Sequence, residues 1–292
     1  MERRTFLQTA ALSSLATVTL SPFAIGAETN RLFPRARRQA GSQAAPRKIP
    51  IAVQLYSVRN AAAKDTAAVL AGIAKMGDAG VEFAGYYGKD AKDLRKMLDD
   101  NGLKCPSTHT GIALLRGDNF EKSVEVHKTL GAKYMIVPGG LQKDFSEVES
   151  TKAIAEEFNK LAEKAKAVGL CIGYHAHGYD AKVVEGMSGW ERFFDATVPD
   201  VVMQMDIGNY QMGGGDPYKM IEKFKGRSKT VHLKEAGAGS PIIGDGEVDW
   251  KRAFDLSETV GGVEWYVVED EKGPDSLERI EKCIVALRKM GK

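Results

Sequence analysis

The chain has 292 residues, 43% of them hydrophobic and 27% charged, with a formal net charge of +2. These values exclude a disordered or fibrous chain and fit one large α/β domain of a soluble protein. The near-neutral charge weighs against a nucleic-acid partner, which calls for a basic stripe, and Cys105, Cys171 and Cys283, without Cys-x-x-Cys spacing, read as buried thiols rather than disulfides or a zinc cage.

The first residues are a different material. Glu2-Arg3-Arg4-Thr5-Phe6-Leu7 precedes an Ala-, Leu-, Ser- and Thr-rich run to about Ala27. Paired arginines before a short, weakly apolar stretch resemble a twin-arginine export signal, so residues 1–27 are expected to be a leader and the mature protein to be periplasmic or secreted. The run is too short and too polar for a stable membrane span. Residues 28–48, with scattered Arg, Gln, Ala, Ser and Pro, read as a flexible linker.

From residue 49 to 292, strands and helices alternate. Strands are expected at 51–56, 81–84, 104–109, 134–138, 170–175, 201–206, 230–232 and 265–269. Helices are expected at 65–79, 90–101, 120–130, 150–168, 189–196, 217–224, 250–259 and 275–290. Asp216 reads as the cap of one helix, Gly131 and Gly169 as the ends of two others, and His127 as a surface residue of its helix. Eight strands, each followed by a helix, predict an α/β fold of (β/α)8 type, a TIM barrel with its active site at the carboxyl ends of the strands. An open doubly wound sheet is the alternative, but no glycine fingerprint opens the first helix.

Three apolar strands end on metal-binding residue types. Val201-Val202-Met203-Gln204-Met205-Asp206 ends on a carboxylate and is turned by Gly208-Asn209; the others end on His232 and Glu269. A carboxylate at the end of a buried strand needs a cation, a metal or a dense set of donors, because desolvating it unpaired costs several kcal/mol. Asp206, His232 and Glu269 arriving at one rim predict a site for one divalent cation, with Mn, Mg, Co and Zn all compatible. The same rim collects Gln54 and Tyr56, Glu82, His109, His175 and His177, Gln204, Asn209 and Lys234. Lys234 is placed to reach a substrate oxygen or to pair with Glu235 or Glu82. Trp250 is placed to stack on a sugar ring or to cover the barrel, and Gly237-Ala238-Gly239 to form a flexible lid.

Residues 49–292 resemble the xylose isomerase-like barrels, the sugar (phosphate) isomerase/epimerase superfamily that also holds inosose dehydratases and one class of abasic-site endonucleases. The motifs that carry the resemblance are Val53-Gln54-Leu55-Tyr56-Ser57-Val58-Arg59, Val81-Glu82-Phe83-Ala84-Gly85-Tyr86-Tyr87, Gly173-Tyr174-His175-Ala176-His177, Met205-Asp206-Ile207-Gly208-Asn209, Val231-His232-Leu233-Lys234, Gly244-Asp245-Gly246-Glu247-Val248-Asp249-Trp250 and Glu264-Trp265-Tyr266-Val267-Val268-Glu269. The resemblance implies one divalent ion held from strands five to eight, with Asp206, His232 and Glu269 as three ligands. The strand-five glutamate of the family is missing: its place aligns with Gly173, and His175 is the expected fourth ligand unless it bonds the substrate instead.

The implied function is a metal-dependent sugar (phosphate) isomerase or epimerase that removes a proton beside a carbonyl. Catalytic roles fall to Glu269, Lys234 and His177, and substrate contacts to Gln54, Tyr56, Glu82, His109, Asn209 and Trp250. A dehydratase-type lyase on a keto-sugar or inositol derivative is the first alternative, and a catalytically silent sugar-binding barrel the second. An endonuclease fits less well, for want of extra ligands and a basic face. The expected partner is a small carbohydrate; assembly into an oligomer is compatible with everything in the sequence. Replacing Arg3 and Arg4 together with lysine is expected to hold the precursor in the cytoplasm, followed by fractionation and immunoblotting. Unchanged export of that variant would point to a different secretion route.

Overall fold

The structure, a computed structural model, describes residues 48–239, 241–271 and 275–292. The expected leader (1–27) and, apart from Lys48, the expected linker (28–48) lie outside the described residues. Eight parallel strands form the barrel: β1 Ile51–Gln54, β2 Gly80–Glu82, β3 Ser107–His109, β4 Tyr134–Val137, β5 Cys171–His175, β6 Val202–Asp206, β7 Thr230–Leu233 and β8 Trp265–Val268. Their order around the sheet is β2-β1-β8-β7-β6-β5-β4-β3. The bridges Gly80–Lys104 and Phe83–Thr108 join the β2 and β3 edges and bring the sheet nearly to closure. No helix among the described residues is long and apolar enough to cross a membrane.

Period-two alternation sorts each strand into two faces. On β6, Met203 and Met205 join the main apolar core between barrel and helices, whereas Val202 packs inside with Tyr134 and Ile136 of β4. Above that apolar plug, the inward positions turn polar: Gln54, Glu82, Ser107, Gln204 and Thr230 are all fully buried. The next inward positions are His175, Asp206 and His232. The barrel thus has an apolar base, a polar middle and a rim of ligand-type side chains.

The helices bury the faces that their spacing dictates. In Ala91–Asp100, Leu94 and Leu98 turn inward, and the Asp90 carboxylate accepts the Asp93 N–H as N-cap. In Asn119–Leu130 the inward set is Phe120, Ser123, Val124, His127 and Leu130. His127 is therefore buried, contrary to its expected surface position. Its Nε2 lies 2.7 Å from Thr108 Oγ1 and its Nδ1 2.6 Å from the Ser123 carbonyl. The i, i+3, i+4, i+7 spacing from Phe120 requires this.

Several short elements were not expected, among them a helix at Arg59–Lys64. Val183–Val184 and Met187–Ser188 form an antiparallel hairpin after β5. Gly208 and Asn209 do not turn the chain; a helix, Ile207–Met212, starts directly at the end of β6 with Asp206 as its N-cap. That helix needs glycine at 208, where a Cβ would lie 2.5 Å from the Lys234 carbonyl oxygen.

Gly173 occupies the barrel interior two residues below His175. A Cβ there would lie 2.7 Å from both the Val202 carbonyl oxygen and Ile136 Cδ1. No longer side chain fits that layer, so residue 173 is not a vacated ligand position; the strand-five group at the height of Asp206 is His175. Gly173→Ala is expected to lower unfolding stability by about 1–3 kcal/mol through overpacking, read as a lower urea midpoint. An unchanged midpoint would show that the interior can open around residue 173.

Candidate metal centre and active-site cavity

Each ligand-type side chain arrives at the rim for a local reason. Asp206 ends β6 and caps the following helix, so its Oδ1 is committed to the Asn209 N–H at 2.7 Å. Its Oδ2 is buried and has no hydrogen-bond partner among the described residues. Facing that oxygen are His175 Nε2 at 3.9 Å and His232 Nδ1 at 4.0 Å. His232 Nδ1 lies 2.6 Å from Glu269 Oε2. Ligand atoms of His175, Asp206, His232 and Glu269 all fall within 4.8 Å of one another.

The residues beneath hold these groups in place. Glu82 is fully buried and accepts from Gln54 Nε2 at 2.6 Å, Gln204 Nε2 at 2.8 Å, His232 Nε2 at 2.8 Å and His109 Nε2 at 2.9 Å, with Ser107 Oγ as a further donor. Burial opposes its ionisation, but His109 and His232 hold it well below the usual carboxylate range. With Nε2 of His232 committed to Glu82, Nδ1 is the nitrogen turned to Asp206 and Glu269. A ligating histidine characteristically has its second nitrogen bound in this way.

Electrostatics show what the site requires. Burial raises Asp206 to about 7 despite Lys234 nearby. Burial alone would depress His232, yet Glu82 and Glu269 push it up to about 10. Glu269 stays ionised well below its ordinary value, because Lys234 and His232 outweigh its burial. His175 is held neutral by burial and by the neighbouring His232 and His109. An unsatisfied buried carboxylate oxygen, two imidazole nitrogens and a second carboxylate are the donor set of a divalent ion. Bonds of about 2.0–2.2 Å to such donors suit atoms spaced as these are.

A cavity of about 470 Å³ opens above this cluster, lined by Tyr56, Ala84, Gly85, His109, Pro138, His175, His177, Glu269 and Glu271. Of the expected catalytic groups, Glu269 and His177 line it. Burial holds His177 neutral; its ring stacks on Tyr179 at 5.1 Å between centroids. Lys234 is buried rather than presented to the cavity. It bonds Glu269 Oε1 at 3.3 Å and also Glu271, not the expected Glu235 or Glu82.

Of the expected substrate contacts, Tyr56 and His109 line the cavity, and Gln54, Glu82, Asn209 and Trp250 do not. Gln54 and Glu82 lie one inward position too deep. Asn209 sits on the helix behind β6, its side chain directed at the Ala176 carbonyl. Trp250 is buried with Nε1 2.7 Å from Glu235 Oε2, so it covers the barrel and does not stack on a ring. Glu235 also accepts the Ala236, Gly244 and Val248 N–H groups. It fastens the loop that follows β7, which carries Gly237-Ala238-Gly239, to the top of that strand.

Sequence reasoning gave Glu271 no place and Gln204 no role. Gln204 was reachable by counting two back from Asp206 along the same strand face. Glu271, past the end of β8, carried no such signal.

The sequence model of the xylose isomerase-like TIM barrels matches residues 70–290. The chain belongs to that family. It is similar to the inosose dehydratase of Geobacillus thermodenitrificans strain NG80-2, with 26% identity over 257 residues, covering 73% of this chain and 85% of the relative. A sugar phosphate isomerase/epimerase from Parabacteroides distasonis superposes with a TM-score of 0.72 at 27% identity, over 85% of this chain and 95% of the other. The IolI protein with a bound zinc atom superposes with a TM-score of 0.63 at 14% identity, over 83% and 96% of the two chains, and shows the shared fold alone.

A divalent ion at this site must displace the proton that His232 carries at neutral pH. Binding of Co2+ or Zn2+ at pH 7.5 is therefore expected to release at least one proton, measured by calorimetry in buffers of different ionisation enthalpy. Affinity should climb as pH rises toward about 10, where that proton leaves unaided. Asp206→Asn should abolish binding and the thermal stabilisation that accompanies it. Binding without proton release would exclude His232 Nδ1 as a ligand.

Proposed function

We propose that this barrel is a metal-dependent dehydratase acting on a small, unphosphorylated polyhydroxy ketone, a keto-sugar or an inositol-derived ketone. One observation carries the reading. The carboxylates that line the cavity, Glu269 and Glu271, both come from the β8 end, while the β3 and β5 ends present His109, His175 and His177. Two-sided proton exchange at one carbon calls for a base on each face. A carboxylate base from one side only, opposite the neutral imidazoles of His175 and His177, suits removal of a proton on one side and departure of a hydroxyl on the other.

His175, Asp206, His232 and Glu269 would hold the ion, and two imidazoles among four ligands favour Zn, Mn or Co over Mg. The ion would supply Lewis-acid stabilisation of negative charge developing on the substrate carbonyl oxygen. Glu269, kept ionised beside Lys234 and His232, accepts the proton from the carbon next to that carbonyl. His177 faces it across the cavity and transfers a proton to or from the substrate on that side. Lys234, bound to both Glu269 and Glu271, keeps Glu269 charged and holds both side chains in place. Tyr56, 42% exposed at the cavity mouth and backed by the Arg59 guanidinium 4.2 Å from its ring centroid, offers a face for the apolar side of a ring. Among the described residues no arginine or lysine lines the cavity, which supports an unphosphorylated substrate.

Similarity to inosose dehydratases at about a quarter identity supports the dehydratase reading. The isomerase/epimerase reading is the second, and the Parabacteroides structure favours it. Both begin with the same proton removal. Metal-loaded protein with a panel of ketohexoses and inososes is expected to exchange the proton beside the carbonyl in D2O, seen by NMR, and in ordinary water to release water, seen as a loss of about 18 mass units. His177→Gln should slow turnover by about 10²–10⁴-fold with metal content unchanged. Exchange with rearranged but undehydrated product would move the assignment to isomerase, and exchange that survives Glu269→Gln would make a histidine the base.

A further inference from the structure

We propose that Gln204 is a positioning residue that sets the tautomer of His175, and with it the nitrogen His175 offers to the ion; the inference rests on the metal-centre reading above.

Gln204 lies on β6, two residues before Asp206, fully buried in the polar layer of the barrel. All four of its hydrogen-bonding positions are used. Nε2 donates to Glu82 Oε2 at 2.8 Å and to Thr230 Oγ1 at 3.0 Å. Oε1 accepts from His109 Nε2 at 2.8 Å and from His175 Nδ1 at 3.0 Å.

The direction of the amide is dictated from below. An ionised carboxylate only accepts, so the amide nitrogen must face Glu82. The amide oxygen must then face the two histidines, and an amide oxygen only accepts. Both histidines have to donate to it. A neutral imidazole carries one N–H, so His175 is fixed with its proton on Nδ1 and its lone pair on Nε2. Nε2 is the nitrogen that faces the unpartnered Asp206 Oδ2. The same logic puts the His109 proton on Nε2, where it also meets Glu82 Oε1 at 2.9 Å.

Glu82 thus orders two ligands by different routes. It orders His232 by direct contact and His175 through the Gln204 amide. A glutamate at 204 would lose the donor side, and an apolar residue would lose the acceptor. The glutamine supplies one directional step from an acceptor-only carboxylate to a pair of donor nitrogens.

The test uses the full chain with 15N-labelled histidine, metal-free, and long-range proton–nitrogen correlation to read each ring's tautomer. The unaltered protein is expected to show His175 as the Nδ1–H form. Gln204→Met, similar in length and without an acceptor, should redistribute the His175 proton between its nitrogens. It should also weaken Co2+ binding by about 10–100-fold, with an altered visible spectrum of the bound ion.

Glu82→Gln is the second variant and keeps the test decisive should Gln204→Met fail to fold. Residue 82 does not touch His175, but without its carboxylate the Gln204 amide is free to turn over, and the His175 tautomer should again change. Persistence of the Nδ1–H form in the variants that fold, or unchanged Co2+ affinity in Gln204→Met, would overturn the proposal. If the unaltered protein binds no Co2+, the metal reading falls by itself, and the tautomer measurement still decides what Gln204 does.

Discussion

The structure depends on one buried charge. Glu82, with no solvent contact, stands at the centre of the barrel and is held by Gln54, Ser107, His109, Gln204 and His232, from β1, β3, β3, β6 and β7. An ionised carboxylate in such a place is tolerable only when its lone pairs are met by donors and opposing charge. The donors come from strands far apart in sequence, so the requirement acts on the whole barrel. Satisfying Glu82 fixes the relative heights of these strands, and those heights determine which residues reach the rim. Removing one donor would leave an unmet carboxylate lone pair; removing the carboxylate would release two histidines and two amides together.

The three layers inside the barrel divide the work. Tyr134, Ile136 and Val202 close the base with apolar contact. Glu82 and its donors form the middle layer, which supplies orientation rather than chemistry. His175, Asp206, His232 and Glu269 form the top, where lone pairs converge. Parallel strands make this arrangement natural, because every strand adds its next inward residue at the same end. The middle layer also separates the top from the base: His232 meets the Glu82 carboxylate and His175 the Gln204 amide.

Much of this was legible from the residues, and the parts that were not share a cause. Strand and helix order followed from apolar spacing, the meeting of Asp206, His232 and Glu269 from the rule that strand ends share a basin, and the place of His175 beside them from the family resemblance. His127 was misplaced because the helix periodicity from Phe120 was not carried through to it. Gln54, Glu82 and Trp250 read as substrate contacts because sequence gives the face of a strand or the start of a helix but not the depth. Depth depends on the stagger between strands, which is set by partners such as Ser107 and Gln204 that look unremarkable alone. Gly173 illustrates the same limit. By alignment it stands where a ligand is missing, yet the carbonyl of Val202 and the tip of Ile136 fill the space above its Cα. The helix Ile207–Met212 escaped notice because Gly208 and Asn209 are turn formers in isolation. Only the close approach of the Lys234 carbonyl shows why glycine is needed within a helix there.

Asp206 joins fold to chemistry, and the charges around it explain why. Its Oδ1 caps a helix, a structural duty that fixes the carboxylate in a single pose and leaves Oδ2 aimed inward with nothing to bind. Linked to one another through His232 and Lys234 stand the carboxylates of Glu82, Glu269 and Glu271, and among the described residues in these pairs Lys234 is the one permanent cation. Charge in so buried a region has to be balanced locally. Protons supply part of the balance, which is why His232 holds one far above its ordinary range and Asp206 shifts toward neutrality. Those protons are held against the intrinsic preference of an imidazole and a carboxylate at neutral pH, and a divalent cation among the same atoms would relieve both at once. The helix cap, the orphan oxygen and the displaced protonation states are therefore three consequences of one arrangement, in which the fold fixes an excess of negative charge at the strand ends that a divalent cation would neutralise.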